Sequence, residues 1–275
     1  MCGRTVFTLS RKRVCRVANV GMDPSTEREF HTLHSFNLCP TNGLICVVQG
    51  EDGARELTRM KWGLEPRFST SHHLSTINAR SESIEHSRLY SGLVDSSRCV
   101  VIVDAFYEWD QRPKEHTPYI IRYVDSVKED SIPLRHGAES VFCSEDRSGD
   151  VEREYLPEGV SPLLLAAIYD TKSGEHSCSI LTAESRGSVS KIHDRMPVLL
   201  TPETAKLWLE TQPFEAIIGP VVKGSIAAGE KLQCMQVSSQ VNSTSNKGRD
   251  VTLPLAEFRK QSLQKGLGKY FKAKQ

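Results

Sequence analysis

The chain has 275 residues, of which 25% are charged and 38% are hydrophobic, so it is long enough and apolar enough to bury a large core. No stretch approaches the roughly 18 apolar residues that a membrane span requires, and the first residues lack the apolar core of a secretory signal. The net charge of +1 does not by itself indicate a nucleic-acid partner, and we expect an intracellular globular protein without a membrane partner.

The predicted elements are mostly strands. Ser10 is a candidate N-cap for a short helix that runs to Ala18. Further along, a Thr-Pro-Glu sequence at residues 201–203 predicts a helix start, and residues 213–218 predict another short helix. Strands outnumber helices without β-α-β alternation, which predicts a mainly antiparallel α+β fold. The predicted strands, rich in Val, Ile, Leu and aromatic residues, are 44–49, 56–62, 98–109, 118–124, 163–169, 178–182 and 232–237.

Charge is unevenly distributed along the chain. Residues 125–158 contain ten acidic and four basic residues, and the surrounding segment 125–161 has little apolar periodicity, so we predict a disordered or mobile insertion between two strands. Residues 255–275 contain six basic residues and one acidic residue, which predicts a flexible basic tail. The predicted organisation is therefore one domain over residues 2–254, interrupted by the insertion, and a tail. Any basic groove must come from locally placed arginines.

The eight cysteines are scattered, without a C-x-x-C pair or a histidine at zinc-ligand spacing. This pattern favours reduced thiols in a cytosolic or nuclear protein, and it makes a structural metal and disulfides unexpected. We expect no cofactor. The cysteines are Cys2, Cys15, Cys39, Cys46, Cys99, Cys143, Cys178 and Cys234.

Cys2 becomes an N-terminal residue if the initiator methionine is removed. Its amine, with a pKa of roughly 7.7–8.0, would then be partly neutral at physiological pH and able to attack an aldehyde. The adjacent thiol can close a five-membered thiazolidine ring in an effectively intramolecular step. DNA presents such an aldehyde at the ring-opened sugar of an abasic site. The alternative is that Cys2 is an incidental surface thiol.

Two motifs contain candidate proton-transfer groups. The sequence IHDRMP places His193 beside an acid and an arginine, which suits a loop that presents an imidazole. In the sequence AFYEW, Glu108 follows a strongly apolar strand, and burial there would raise the pKa of its carboxyl group. The alternatives are a structural or exposed histidine and an edge-strand glutamate in a salt bridge.

Two further motifs contain candidate binding groups. In INARSE, the Asn78 amide can donate and accept at once, and the Arg80 guanidinium matches a phosphate. In KWGLEP, Trp62 can stack on a base, although core packing is the alternative for this residue.

Taken together and in order, MCGR, a C-P-T turn, KWGL-x-P, INARSE, AFYEW, ILT, IHDRMP and V-S-S-x-V-N resemble the SRAP family of abasic-site processing proteins. The resemblance covers residues 2–254 apart from the acidic insertion. It implies an α+β fold with a β-barrel-like core, a few short helices and a positively charged groove for single-stranded DNA. It also implies an intracellular, nuclear and monomeric protein.

The resemblance assigns roles to four residues of the reaction. It implies that Cys2 forms a thiazolidine with the abasic sugar and that Asn78 positions the Cys2 backbone. Glu108 is implied as the acid and base of Schiff-base formation and its reversal. His193 is implied as the group that assists sugar-ring opening and chemistry at the N-terminus.

The resemblance also assigns DNA contacts. Arg4 and Arg80 are implied as phosphate-binding residues, and Pro40 with Trp62 as an apolar shelf against bases. The family often has a second aromatic residue after WGL-x-P, and the nearest one here is Phe68. The expected function is covalent capture of abasic sites in single-stranded DNA, a lyase-like Schiff-base chemistry. The alternatives are a cysteine peptidase limited to self-processing of the Met1–Cys2 bond and a non-covalent single-stranded DNA-binding module.

The basic tail contains a sequence of the form Q-x-x-L-x-x-Y-F, which looks like the PIP box that docks on the replication sliding clamp. Its members are Gln264, Leu267, Tyr270 and Phe271. The three apolar side chains would form a plug on one helical turn, and the glutamine would be a polar latch. The alternative is a basic tail that merely touches DNA.

Overall fold

The structure is a computed structural model that describes residues 2–21, 30–50, 53–69, 76–112, 116–124, 128–133, 155–157 and 159–272, without the side chains of residues 31 and 265–272. Within these ranges, no helix has both the length and the apolar character that crossing a membrane requires. The strands are β1 (Thr5–Phe7), β2 (Ser35–Leu38), β3 (Gly43–Gln49), β4 (Arg55–Trp62), β5 (Asn78–Arg80), β6 (Arg98–Val103), β7 (Ala105–Asp110), β8 (Thr117–Tyr123), β9 (Leu163–Lys172), β10 (Glu175–Glu184), β11 (Arg195–Pro197), β12 (Leu199–Leu200) and β13 (Leu232–Gln236).

In the part of the chain that the structure describes, four α-helices and several 3-10 turns accompany the strands. The α-helices are α1 (Arg11–Ala18), α2 (Pro202–Leu209), α3 (Phe214–Gly229) and α4 (Leu255–Lys272). The 3-10 turns are His31–Leu33, Ile84–His86, Val189–Lys191, Ser239–Asn242 and Arg249–Thr252. The predicted α+β class is confirmed.

Five strands close into a barrel. The hydrogen-bonded order is β10, β4, β3, β6 and β9, and β9 pairs with β10 again. Every pairing around the ring is antiparallel except β10 with β4. All six residues of β6 are buried, as expected for a strand that is covered on both faces. The predicted barrel-like core is therefore present, and its interior is packed with side chains.

A second, antiparallel sheet lies beside the barrel in the order β13, β8, β7, β1 and β2. The single strand predicted over residues 98–109 is wrong, because β6 belongs to the barrel and β7 to this sheet. Asp104 separates the two strands and is fully buried. Its carboxylate accepts hydrogen bonds from the backbone N–H of Thr8 at 2.7 Å and from its hydroxyl at 2.9 Å. This turn sends β7 away from the barrel and places it against the N-terminal strand.

The starts of α1 and α2 were predictable from their capping residues. Ser10 accepts a hydrogen bond from the backbone N–H of Arg13, and Thr201 forms a reciprocal capping box with Thr204. The prediction for α3 ends too early, at residue 218, because Gly-Pro at 219–220 is typical of a helix end. The helix continues to Gly229 with Pro220 inside it, and burial of its later apolar side chains against the core offsets the lost hydrogen bond.

The described parts of the predicted acidic insertion, residues 128–133, 155–157 and 159–161, pack on α1. The Arg13 Nε atom lies 2.5 Å from Glu129 Oε2, and the guanidinium donates to the carbonyls of Leu156 and Pro157. Ile132 is fully buried, and its N–H donates to the carbonyl of Val17. The remaining residues of the predicted insertion lie outside the described residues.

Two other expectations concern the C-terminal tail and the cysteines. The segment predicted as a flexible tail has a helical backbone in α4, and the side chains of Leu267, Tyr270 and Phe271 lie outside the description. Cys15 is disulfide-bonded, so the expectation of eight reduced thiols is wrong at this position. The other half of that bridge lies outside the described residues.

Candidate functional site

The start of the chain lies along β7. Strand β1 pairs with β7 through Thr5 opposite Phe106, and one residue earlier the Tyr107 N–H donates to the carbonyl of Arg4 at 2.9 Å. With this register, the residues that precede β1 extend along β7 in the direction of Glu108. Cys2 is fully buried, with its Sγ atom 3.9 Å from the carbonyl of Arg4. The chain's beginning is therefore part of the packed interior and not a remote surface segment.

Asn78 reaches the Cys2 backbone. Its side-chain Nδ2 donates to the Cys2 carbonyl at 2.8 Å. Asn78 is the first residue of β5, which pairs in parallel with β10 through Ile180. The structure thus brings together two residues that are 76 positions apart. The asparagine Oδ1 atom is buried and has no hydrogen-bond partner among the described residues.

Glu108 is a buried carboxyl group beside the thiol. It is 2% exposed, and this burial raises its pKa to about 7, against the lowering effect of the positive charge at the chain's N-terminus. The pKa of the Cys2 thiol is raised well above its usual range, first by burial and then by the negative charge of Glu108. The thiol therefore keeps its proton at neutral pH, whereas the carboxyl group is present in both protonation states.

His193 sits on the loop between the 3-10 turn Val189–Lys191 and β11. Its Nδ1 atom lies 3.0 Å from the backbone N of Arg195 and 2.9 Å from Oδ1 of Asp194. Its Nε2 atom lies 3.1 Å from Nε2 of Gln111. Burial lowers the pKa of His193, and the positive charge of the N-terminus lowers it further. The neutral imidazole is favoured.

Arg4 braces the N-terminal strand. Its Nη1 donates to Asn37 Oδ1 at 2.9 Å and to the Val241 carbonyl at 2.6 Å, and its Nη2 donates to the Asn242 carbonyl at 3.2 Å. The guanidinium also lies 5.8 Å from the ring centroid of Trp109. These contacts tie the residues next to Cys2 to a late segment of the chain. A phosphate contact of Arg4 stays a prediction.

The expectation that Trp62 stacks on a base is wrong for this structure. Trp62 is fully buried in the barrel, and its Nε1 donates to the carbonyl of Ile77 at 3.1 Å. Phe68, six residues later, is 65% exposed and presents an aromatic side chain to solvent. Arg80 is exposed, and Pro40 is half-buried in the turn that follows β2.

Three contacts around the site were missed from the sequence. Arg195 pairs with Glu82 through two parallel contacts of 2.7 and 2.8 Å, which fastens the His193 loop to the end of β5. Gln111 and Asp194 flank the two edges of the imidazole. Both acidic residues belong to motifs that the sequence analysis singled out. Glu82 pairs with a residue 113 positions away, whereas Asp194 is the direct neighbour of His193 in the sequence. The glutamine gave no local signal.

Among the residues that the structure describes, no group of three or more His, Cys, Asp or Glu side chains is arranged to hold a metal ion. The site itself contains thiol, carboxyl, amide and imidazole groups. These groups can transfer protons and supply a nucleophile.

Comparison with known proteins identifies the family and the fold. Residues 1–244 match the family described as SOS response associated peptidase (SRAP). The abasic site processing protein HMCES of Gallus gallus is 30% identical over 281 residues, which cover 93% of this chain and 78% of that protein. The abasic site processing protein YoqW of Bacillus subtilis (strain 168) is 29% identical over 255 residues, which cover 90% of this chain and 96% of that protein.

The fold also has solved counterparts. The crystal structure of a protein from Bacteroides thetaiotaomicron superposes with a TM-score of 0.66 at 17% identity, covering 92% of this chain and 99% of that one. At this identity the likeness concerns the fold alone. The family match over residues 1–244 and the relative at 30% identity decide the classification. The chain belongs to the SRAP family.

Proposed function

We propose that this protein recognises abasic sites in single-stranded DNA and captures them covalently through Cys2. The relatives described above are named abasic site processing proteins. The observation that carries the proposal is the environment of Cys2, which is buried. Asn78 donates a hydrogen bond to the Cys2 carbonyl, and the negative charge of Glu108 contributes to the raised pKa of the Cys2 thiol. Such a thiol is shielded from solvent and lies beside a group that can exchange its proton.

The reaction begins once Met1 is removed and the Cys2 amine is free. The amine attacks C1′ of the ring-opened abasic sugar, and the resulting carbinolamine loses water to form a Schiff base. The Cys2 sulfur then adds to the same carbon, and the thiol proton ends on nitrogen. One C–N bond and one C–S bond form, and one water leaves. Ring closure consumes the Schiff base from which strand cleavage would proceed.

Glu108 is the proposed acid and base of these steps. With a pKa of about 7 it is present in both protonation states near neutral pH, so it can protonate the departing water and accept the thiol proton. His193 is proposed to assist opening of the sugar ring, because the neutral imidazole that burial favours can accept a proton. Asn78 holds the Cys2 backbone in place during both bond-forming steps.

DNA is proposed to reach the site over a surface that contains Arg80, Pro40 and Phe68. Arg80 is exposed at the end of β5, two residues from Asn78, and suits a backbone phosphate. Phe68 suits stacking on a base next to the lesion. Arg4 contributes mainly by holding the N-terminal strand, since its guanidinium already has three protein acceptors.

Replacement of Cys2 tests covalent capture. We expect Cys2→Ser to abolish the slow-migrating band that wild-type protein forms with an abasic single-stranded oligonucleotide on a denaturing gel. Cys234→Ser is the matched control, because Cys234 is a free, half-buried thiol on β13. An undiminished band from Cys2→Ser would rule out the proposed chemistry. It would leave a non-covalent DNA-binding module as the better account.

Peptidase activity is the second candidate use of the same groups. We limit it to self-processing of the Met1–Cys2 bond, because the buried thiol lies next to that bond and not in an open groove. Thiol-dependent turnover of foreign peptides by the purified protein would argue against this limit. A nuclear location and a monomeric state stay predictions.

A clamp-binding role of α4 is also proposed. The motif formed by Gln264, Leu267, Tyr270 and Phe271 falls within the helical backbone of α4, as a one-turn apolar plug requires. Replacing Tyr270 and Phe271 together by alanine is expected to remove binding to a replication sliding clamp in calorimetry. Unchanged affinity would exclude the motif. Leu263→Ala, at an exposed neighbouring position, is the control.

A further inference from the structure

We infer that Gln111 is a positioning residue for His193, and that its side-chain amide fixes the orientation of the imidazole in the candidate site. The inference rests on the function proposed for this site. Gln111 directly follows β7, the strand that contains Glu108. Its Nε2 atom lies 3.1 Å from Nε2 of His193. A single amide thus connects the strand of one proton-transfer group to the loop of the other.

The hydrogen bonds around His193 require a partner that can both donate and accept. At Nδ1, the Arg195 N–H at 3.0 Å needs a lone pair, whereas the Asp194 carboxylate at 2.9 Å needs a hydrogen. One nitrogen can satisfy only one of them at a time. The hydrogen at Nε2 is therefore present in one neutral tautomer and absent in the other. A glutamine can face either tautomer, because rotating its amide by half a turn exchanges oxygen for NH₂.

The backbone around Gln111 is held in a fixed shape. The Asp110 carboxylate accepts from the Arg112 backbone N–H at 3.0 Å and from its Nη2 at 2.7 Å. The guanidinium lowers the pKa of Asp110 to about 2, so this brace persists over the physiological pH range. The two flanking residues thereby close a tight turn with Gln111 at its centre. Gln111 is exposed, so the turn, and not burial, determines the direction of its side chain.

The charged groups that face His193 are Asp194, Arg195 and the positive N-terminus of the chain. Asp194 favours the imidazolium, and the other two disfavour it. Gln111 adds a neutral group at the opposite edge of the ring, and its amide Nε2 faces His193 Nε2 and donates to it in the neutral imidazole. A negative charge introduced at residue 111 should therefore raise the pKa of His193.

The experiment is an NMR titration of the His193 imidazole in the full chain, with Gln111→Glu, Gln111→Ala and the control Gln233→Ala, an exposed glutamine on β13. A carboxylate at residue 111 is expected to raise the pKa of His193 by about 1, because it stabilises the imidazolium. Alanine is expected to raise this pKa by less, because the amide N–H that donates to the neutral imidazole is lost. The pH profile of abasic-site capture is expected to move in the same directions.

If Gln111 does not orient the imidazole, Gln111→Ala leaves the pKa of His193 unchanged, and this outcome would overturn the inference. So would a shift of equal size in Gln233→Ala. The titration uses the free protein, so it decides the role of Gln111 even if no DNA adduct forms. Absence of an adduct in wild type would instead overturn the proposed function. The two failures are therefore distinguishable.

Discussion

At the scale of single residues, the site is a set of groups whose burial changes their chemistry. Glu108 would be ionised at neutral pH on the surface, but burial raises its pKa to about 7. Cys2 is buried beside it, and the pKa of its thiol rises by the same cause. The sequence contained these residue types, but their proton affinities depend on the barrel and the second sheet that enclose them.

The raised pKa of Glu108 has a cost in stability. The carboxyl group binds its proton more tightly in the folded protein than in the unfolded chain. The free energy of unfolding therefore falls as the pH rises from the usual pKa of 4.5 to the folded-state pKa of about 7. We expect Glu108→Gln to remove this loss, on the order of 3 kcal/mol. Thermal unfolding of the variant should therefore depend less on pH between 5 and 8 than wild type, while capture is lost. Parallel curves for the two proteins would contradict the assignment.

At the scale of elements, short segments position the functional groups. The strands β1, β5 and β11 have three residues each, which is too few for a periodic pattern. Nevertheless, β1 follows Cys2, β5 begins with Asn78, and β11 follows the loop that contains His193. The long strands and the helix caps were predictable, because their signals are local. The short strands depend on register with distant partners. For the same reason, burial of Trp62 follows from closure of the barrel and not from its motif.

The turn at Asp104 is the element that directs β7 to the N-terminal strand. We expect Asp104→Ala to lower the free energy of unfolding by about 2–4 kcal/mol, because it leaves the Thr8 hydroxyl and N–H without this acceptor. Denaturant unfolding measures the effect. Adding Thr8→Val should cost less in the Asp104→Ala background than in wild type, since the two side chains share a hydrogen bond. Fully additive losses would argue against the coupling.

At the scale of the whole molecule, residues from both ends and the middle of the chain converge on one site. Cys2, Asn78, Glu108 and His193 were identified from their motifs and the family resemblance, and the structure brings them together. The contact of Gln111 with His193 was not predictable, because no local pattern marks a hydrogen bond that spans 82 positions. The ends of the acidic insertion likewise join the core through Arg13, which composition alone did not indicate.

The buried pair of Arg13 and Glu129 tests how firmly the insertion is attached. Their side chains are 5% and 7% exposed. We expect Arg13→Met to lower the free energy of unfolding by about 3–5 kcal/mol, because Glu129 keeps a buried charge without its main partner. Adding Glu129→Met should recover most of the loss, since no buried charge then remains. Failure of the double variant to recover stability in denaturant unfolding would contradict this account.

Intact mass spectrometry of the purified protein, with and without an abasic single-stranded oligonucleotide, tests the central claim most directly. The account predicts a chain that lacks Met1 and, with DNA, a single adduct equal to the sum of protein and oligonucleotide minus one water. Cys2→Ser should give no stable adduct of this mass. An adduct formed while Met1 is retained, or one that maps by peptide sequencing to a residue other than Cys2, would contradict the account.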